Sequence, residues 1–552
     1  MEAKNVKKIL IEIAYQYRQN GDKWRALAYN KAADAIGNCS KLNTEFHSIK
    51  GIGPSIADKI QEIIKTGKSS LLEKLKKNGV PSTLVQLEKL QGVGSKTAIR
   101  LWKEYGISDL KSLMRKIKKI DEPAIAEAIN YYKSQKEKIL LSYATEIAED
   151  VLSVIKDSGI TKAITVGGSI RRKSYLVRDI DFITSVDKKH RQKFFNFISK
   201  KLGIVSHGKS KIIFEVKDKS GDPRRGDIVM TNPTSYGNAI NYLTGSKQFN
   251  IVMRTLALKK NLTVNEKETK KKKTLKKLPS EKEKDLFSIL KIPYVPPECR
   301  ITGEEVGKDF SSLLTDKDIK GDVHIHTILS DGKMTPKTLV SAAKKSGFSF
   351  VGISDHSPSL GIAGFKISSI KRGKEKFTDS KFPVYFGSEV DVKVDGSLAY
   401  NRKNLLKFDY LILATHSAPS KKIADRFIKS MKFVSGLGKP IILAHITNRK
   451  AGRNSSITDW DRLFKACVKY GAVIEINAQP DRMDPPALLI RRAKTFGLKF
   501  AIGSDSHNTS LDLKWGVIQA RKGLLTSKDV INTSHKSFLS FLNVGKPRRH
   551  RD

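Results

Sequence analysis

VGGSIRRKSYLVRDID, residues 166–181, decides how this chain is read. The β-branched run AITV (163–166) predicts a strand that ends in Gly167-Gly168-Ser169, whose small residues leave backbone amides open to a phosphate. Arg172 follows closely enough to neutralise that phosphate. Asp179 and Asp181 then flank Ile180 at the start of a second β-branched run, IDFIT (180–184). A spacing of two on a strand places both carboxylates on one face. Paired carboxylates suit hard divalent ions, and Asp227 in RRGDIVMT (224–231), on a neighbouring predicted strand, is the candidate third ligand of a two-metal site. Mg²⁺ or Mn²⁺ is the expected ion there, one activating an attacking hydroxyl and the other holding a triphosphate and its leaving pyrophosphate.

Outward from that stretch, the composition points to a polyanionic partner. The 552 residues carry 103 Lys plus Arg against 56 Asp plus Glu, a formal charge of +47, and the lysines run along the whole chain. Nucleic acid is the commonest such partner, although a lysine-rich proteome would give the same excess. Cys39, Cys299 and Cys467 are far apart, which argues against a disulfide framework and a thiolate zinc site and for a reducing compartment. The amphipathic N-terminus lacks a signal-peptide core, and apolar runs such as YLILA (410–414) have only strand length, so no membrane partner is expected.

At this length three or four domains are expected. Residues 1 to about 140 have helical periodicity and contain an internal repeat: IKGIGPSIADKI (49–60) aligns without a gap on LQGVGSKTAIRL (90–101). Short β-branched runs follow to about 264. KETKKKKTLKKLPSEKEKD (267–285) has no apolar period and predicts an exposed loop or linker, and the prolines of IPYVPPECR (292–300) predict an irregular junction. From about 320 onward strands alternate with helices (FVGIS, VYFGSEV, YLILATH, PIILAHI, AVIEINA, KFAIGSD), which predicts repeated βα units closing into a barrel.

The paired GxG turns, Gly51 with Gly53 and Gly92 with Gly94, resemble helix-hairpin-helix motifs, in which the glycines let amides approach a DNA backbone. Together with WRALAYNKAADAI (24–36) they resemble the lyase and fingers segments of family X DNA polymerases. The GS-to-DxD spacing is similar to that family's nucleotidyltransferase palm. SYGNAINYLTGSKQFNIVMRTLALKKNLTVNE (235–266) resembles its thumb signature almost position by position. The resemblance implies that Arg25 meets a gap's 5′-phosphate, and that Lys59 stands where a lyase relative has its Schiff-base lysine; a solvated lysine on a basic helix is the alternative. It implies that Gly168, Ser169 and Arg172 hold the triphosphate, Tyr242 and Leu243 meet the nucleotide's sugar, Gly245 and Ser246 form a turn, and Asn250 and Arg254 reach the minor groove. Leu243 replaces the usual Phe, Arg178 a glycine, and Ser174-Tyr175 a stretch with a glutamate. These departures bear on fidelity and sugar discrimination and leave the three carboxylates intact.

GDVHIHTILSDG (321–332) is similar to the opening of a PHP, or polymerase and histidinol phosphatase, domain. His324 and His326 alternate, Asp331 follows, and further clusters recur at strand ends: His356 in SDHS, Glu389 in GSEVDV, His416 in ATHS, His445 in LAHIT, and Asp505 with His507 in GSDSH. A barrel gathers such ends around one mouth. The nine ligands suit two or three Mn²⁺, Zn²⁺ or Fe ions and phosphoester hydrolysis.

The expected architecture is therefore multidomain: a helical 8-kDa-like domain with the first hairpin (1–80), helical fingers with the second (81–145), an α+β nucleotidyltransferase palm (146–235), a thumb and basic linker (236–300), and a distorted TIM-like α/β PHP barrel (318–552). The implied function is gap-filling DNA synthesis in repair on gapped or primer-template DNA with dNTPs, coupled to 3′-5′ exonuclease or 3′-end phosphoesterase activity. The implied setting is a monomer in a prokaryotic cytoplasm, associated with the nucleoid. A polymerase whose PHP domain is only a scaffold, and a chain that mainly processes DNA ends, are the alternatives.

Overall fold

The computed structural model describes residues 3–543 apart from 20–21, 38–45, 47–51, 78–80, 91–92, 94, 118–119, 121, 124, 127–128, 130–137, 360–363, 367, 369, 379–380, 417–422 and 451–458. The chain divides into two compact units, 1–137 and 138–552. No described helix is long and apolar enough to cross a membrane.

The first unit is helical, as its 3–4 apolar spacing predicts: Ala3–Gln19, Lys23–Gly37, Pro54–Thr66, Ser70–Lys77, Ser95–Tyr105 and Leu110–Lys116 are its main helices. Val6, Leu10, Ile13, Ala33, Ile60 and Ile63 fill one core, and Leu84, Leu87, Ala98, Leu101 and Leu113 fill a second.

In the second unit, helix Leu141–Asp157 buries Leu141, Ala144, Ile147, Ala148, Val151 and Ile155 against a five-stranded sheet. Its strands lie in the order Ala163–Val166, Ile180–Ser185, Pro223–Thr231, Lys211–Lys217, Gly203–Gly208. Only the pairing of Ile180–Ser185 with Pro223–Thr231 is parallel, and it sets Asp181 in register with Asp227. Leu141 and Ala144, which precede the boundary expected at 146, belong to this core.

The segment expected to be an exposed loop or linker is largely exposed, but the structure corrects its form. Thr269–Lys271 and Lys277–Leu278 are antiparallel strands beside Leu262–Val264, followed by helix Glu283–Ile289. The segment shows no apolar period because its inward positions are polar and satisfied: Thr269 and Ser280 are buried, and the Thr269 hydroxyl accepts from the Asn238 amide at 2.8 Å. The proline junction is likewise built in, ending in Arg300, whose side chain is wholly buried.

The C-terminal strands are all parallel, as the βα alternation predicts. Gly321–Asp322, Phe350–Ile353 and Val384–Phe386 form one sheet; Ser388–Asp391, Leu411–Ala414, Ile441–Leu443, Ala472–Asn477 and Phe500–Gly503 form the other. The two are joined at Gly387 and by a parallel bridge from Ile325 to Ser506, which closes a barrel. Alternation divides its residues: Ile412, Ile442, Val473 and Ala501 meet the C-terminal helix residues Phe538 and Phe541, while Leu411, Leu413, Ile474 and Ile502 meet the flanking helices.

Candidate active sites

The first site sits at the end of the parallel strand pair. The Gly167 amide donates to the Asp181 carbonyl at 2.7 Å, which ties the Gly-Gly-Ser turn to the DxD strand. Gly168 adopts φ +53°, and a Cβ there would stand 2.0 Å from Asp181 Oδ2, so only glycine fits. A cleft of about 430 Å³ is lined by Gly168, Ser169, Arg172, Asp179, Asp181 and Leu243, among others. Asp227 is held from the side by Lys211, 2.6 Å away. Burial, with the neighbouring Asp227 and Asp179 charges, pushes the Asp181 carboxyl up to about 7. A crowded, half-buried acid cluster in which Asp181 resists ionisation is a fitting cradle for divalent cations, which would supply the missing positive charge.

The thumb residues form a scaffold around that cleft. The Asn250 amide donates to the Tyr242 carbonyl at 2.7 Å, and exposed Arg254 donates to the Asn250 carbonyl at 3.3 Å. Ser246 caps helix Lys247–Lys259 through the Phe249 amide, at 3.2 Å, and Gly245 turns the chain at φ +70°. The Arg172 guanidinium reaches this turn and donates to the Thr244 carbonyl.

The second site lies at the mouth of the barrel, where all nine expected ligands meet. Glu389 is its hub: one carboxylate oxygen is 2.9 Å from His445 Nε2 and 3.4 Å from His416 Nε2, the other 2.8 Å from His356 Nδ1, 3.5 Å from His326 Nε2 and 3.6 Å from His324 Nε2. Asp505 approaches His326 Nε2 at 3.2 Å, and Asp331 approaches His507 Nε2 at 3.4 Å. His324 and His326 bring their Nε2 atoms to 3.2 Å, although the regular strand before them is only Gly321–Asp322. Three overlapping donor sets could each hold an ion: His324, His326 and Glu389; His326, Asp331, His356 and His507; and His356, Glu389 and His416. The shared ligands and the absence of thiolates fit a multinuclear cluster of borderline metals. Burial opposes a proton on His416, yet Asp391 and Glu389 raise its pKa to about 10, so bound cations would displace protons.

In the helical unit, Gly53 is the extended N-cap of helix Pro54–Thr66, and a Cβ on it would meet nothing within 4 Å. Lys59 on that helix is paired with Glu62 at 3.2 Å. Arg25 is exposed, 3.4 Å from Asp22 and stacked over the Tyr17 ring. Gly51, Gly92 and Gly94 lie outside the described residues.

Three family models match: the helix-hairpin-helix domain over residues 1–69, the DNA polymerase beta thumb over 239–301, and the PHP domain over 322–479. The chain is 30% identical over 582 residues to the DNA polymerase/3'-5' exonuclease PolX of Bacillus subtilis, across 98% of this chain and 99% of that protein. The chain is a PHP-bearing family X DNA polymerase by descent. It is also 28% identical over 316 residues to DNA polymerase lambda of Rattus norvegicus, across 52% of this chain and 54% of that protein, and 27% identical over 229 residues to DNA polymerase lambda of Arabidopsis thaliana.

Several residues of this family X chain escaped the reading by motif. Glu475 is buried on strand Ala472–Asn477; it accepts from His324 Nδ1 and, at 2.9 Å, from the His445 amide. Asn477 on the same face donates to Asp505 at 3.0 Å. These groups stand behind the expected ligands and hydrogen-bond to them, the place that outer partners of a metal site take. The available signal was a glutamate and an asparagine at alternate positions of the otherwise apolar AVIEIN. Asp391, 3.3 Å from His416 Nδ1, plays the same part.

Proposed function

We propose that the chain fills short gaps in DNA during repair, adding dNTPs to a primer 3′ end, and that its PHP domain hydrolyses phosphodiesters at 3′ ends. Asp179, Asp181 and Asp227 would hold Mg²⁺ or Mn²⁺, which when bound lowers the pKa of the primer hydroxyl and shields the triphosphate. The Gly168 and Ser169 amides and the Arg172 guanidinium bind and orient that triphosphate, and Leu243 borders the sugar. The observation that carries this reading is the parallel register of Asp181 with Asp227 under a turn that admits only glycine at 168.

In the barrel, His324, His326, Asp331, His356, Glu389, His416, His445, Asp505 and His507 would hold two or three Mn²⁺, Zn²⁺ or Fe ions, which when bound supply hydroxide at neutral pH. Glu475 and Asn477 fix the ring and carboxylate orientations. This complete, convergent set favours hydrolysis over a scaffold role. The helical hairpins bind the DNA backbone, with Arg25 at a 5′-phosphate, and the enzyme works as a cytoplasmic monomer.

A 5′-labelled gapped duplex incubated with the full chain and Mg²⁺ or Mn²⁺ tests the proposal. The label should lengthen when dNTPs are present and shorten without them. A primer that never lengthens refutes the polymerase assignment, and one that never shortens reduces the barrel to a scaffold.

A further inference from the structure

The turn that lines the nucleotide cleft is gripped from behind by the barrel. Helix Lys514–Lys522 lies against the barrel, where Gly516 leaves no room for a Cβ beside Ala478 and Ile502, and Gln519 donates to the Pro485 carbonyl at 2.6 Å. Its other side reaches the palm: Trp515 and Ile518 pack on the palm core. At its end, buried Lys522 donates to the Arg172 carbonyl at 3.2 Å and to the Lys173 carbonyl.

Two features make that grip consequential. Lys173 has φ +52°, a conformation disfavoured for any residue with a side chain, so the turn needs outside support. Arg172 is the residue whose guanidinium lines the cleft, and its backbone is the one Lys522 holds. Tyr175, just beyond, is secured by the barrel too: its hydroxyl donates to the Asp481 carbonyl at 2.6 Å and its ring lies 4.1 Å beneath the Arg449 guanidinium.

We infer that Lys522, a barrel residue, is a positioning residue for nucleotide addition, its ammonium fixing the Gly168–Lys173 turn so that Arg172 and the Ser169 amide meet the incoming triphosphate. Lys522 touches neither metal site and acts only through the turn. Burial and the Arg449 and Arg172 charges pull its pKa down to about 7, as expected of a lysine kept at this place for its bonds rather than its free charge. The inference rests on the polymerase reading above and adds that the PHP domain completes the nucleotide site whether or not it hydrolyses DNA.

The test uses the full chain as wild type, Lys522→Met, Lys522→Arg and Tyr175→Phe. Single-nucleotide addition on gapped DNA gives KM for dNTP and kcat; 3′-end hydrolysis and the thermal midpoint are measured beside them. Lys522→Met should raise KM for dNTP roughly tenfold, with a smaller change in kcat and hydrolysis within about twofold of wild type. Lys522→Arg should recover most of that loss, and Tyr175→Phe should raise KM about two- to threefold. An unchanged KM in folded Lys522→Met overturns the inference, as does an equal fall of both activities in step with the thermal midpoint. If Lys522→Met does not fold, an unchanged KM in folded Tyr175→Phe overturns it. A wild type that adds no nucleotide refutes the polymerase reading itself, a different result from a wild type that adds and a variant that matches it.

Discussion

Replacing Glu283 by Gln should destabilise the 138–552 unit by roughly 3–5 kcal/mol at pH 7, the usual cost of leaving a buried partner charge uncompensated. One Glu283 oxygen accepts from Arg171 at 2.8 Å and Arg300 at 2.7 Å; the other accepts from Arg171 and the Tyr294 hydroxyl, each at 2.7 Å. Arg300 is 0% exposed among the rings of Phe249, Phe287 and Tyr294. Glutamine removes the negative charge and turns an NH₂ toward guanidinium groups that only donate. Burial opposes ionisation of Glu283, yet Arg171 and Arg300 overcome it and hold the carboxyl at about 2 rather than 4.5. At about 1.4 kcal/mol per pH unit that depression is worth roughly 3 kcal/mol, in line with the first figure. Because the folded pKa lies below the unfolded one, this contribution is complete above pH 4.5 and fades as pH falls toward 2. Urea unfolding of both proteins at pH 7 and pH 3.5 is the assay. The gap should be largest at pH 7 and smaller at pH 3.5, and adding Arg300→Met to the glutamine variant should recover part of it. A gap under about 1 kcal/mol at pH 7, or one that ignores pH, would refute the reasoning.

Asp227→Asn should cut nucleotide addition by more than about 100-fold and leave gapped-DNA affinity within about threefold, read by primer extension and filter binding. His507→Ala should do the converse, abolishing 3′-end digestion after repurification and leaving extension largely intact; retained digestion would place the nuclease elsewhere. Glu475→Gln should weaken metal binding at the barrel mouth by about 10- to 100-fold, measured as bound metal after dialysis against a graded chelator. Since Asp181 holds a proton up to about pH 7 and a cation must displace it, Mg²⁺ affinity of the polymerase site should be steady above that pH and weaken by about tenfold per unit below it. Calorimetric titration of the wild type against an Asp181→Asn variant, in which the barrel sites are unchanged, reads that site by difference.

Short-range chemistry was legible from the sequence alone. Asp179 lies just before strand Ile180–Ser185 rather than on it, yet it lines the same cleft as Asp181; the GS turn precedes both at a readable spacing, and the barrel ligands stand at the ends of apolar strands. The nine barrel residues stand around one mouth, because parallel strands bring their C-terminal ends to one rim. What the tertiary structure alone decided are the partners of buried charges. Glu283 sits in a lysine-dense run that reads as solvated, yet it pairs with an arginine 112 residues away; Lys522 holds a carbonyl 350 residues away. Glu475 hides in an apolar strand until the barrel turns it toward His324, 151 residues distant. Local periodicity tells which face a side chain takes, but a buried charge is tolerable only beside its counter-charge, and that pairing is fixed by chain closure over distances no local pattern encodes.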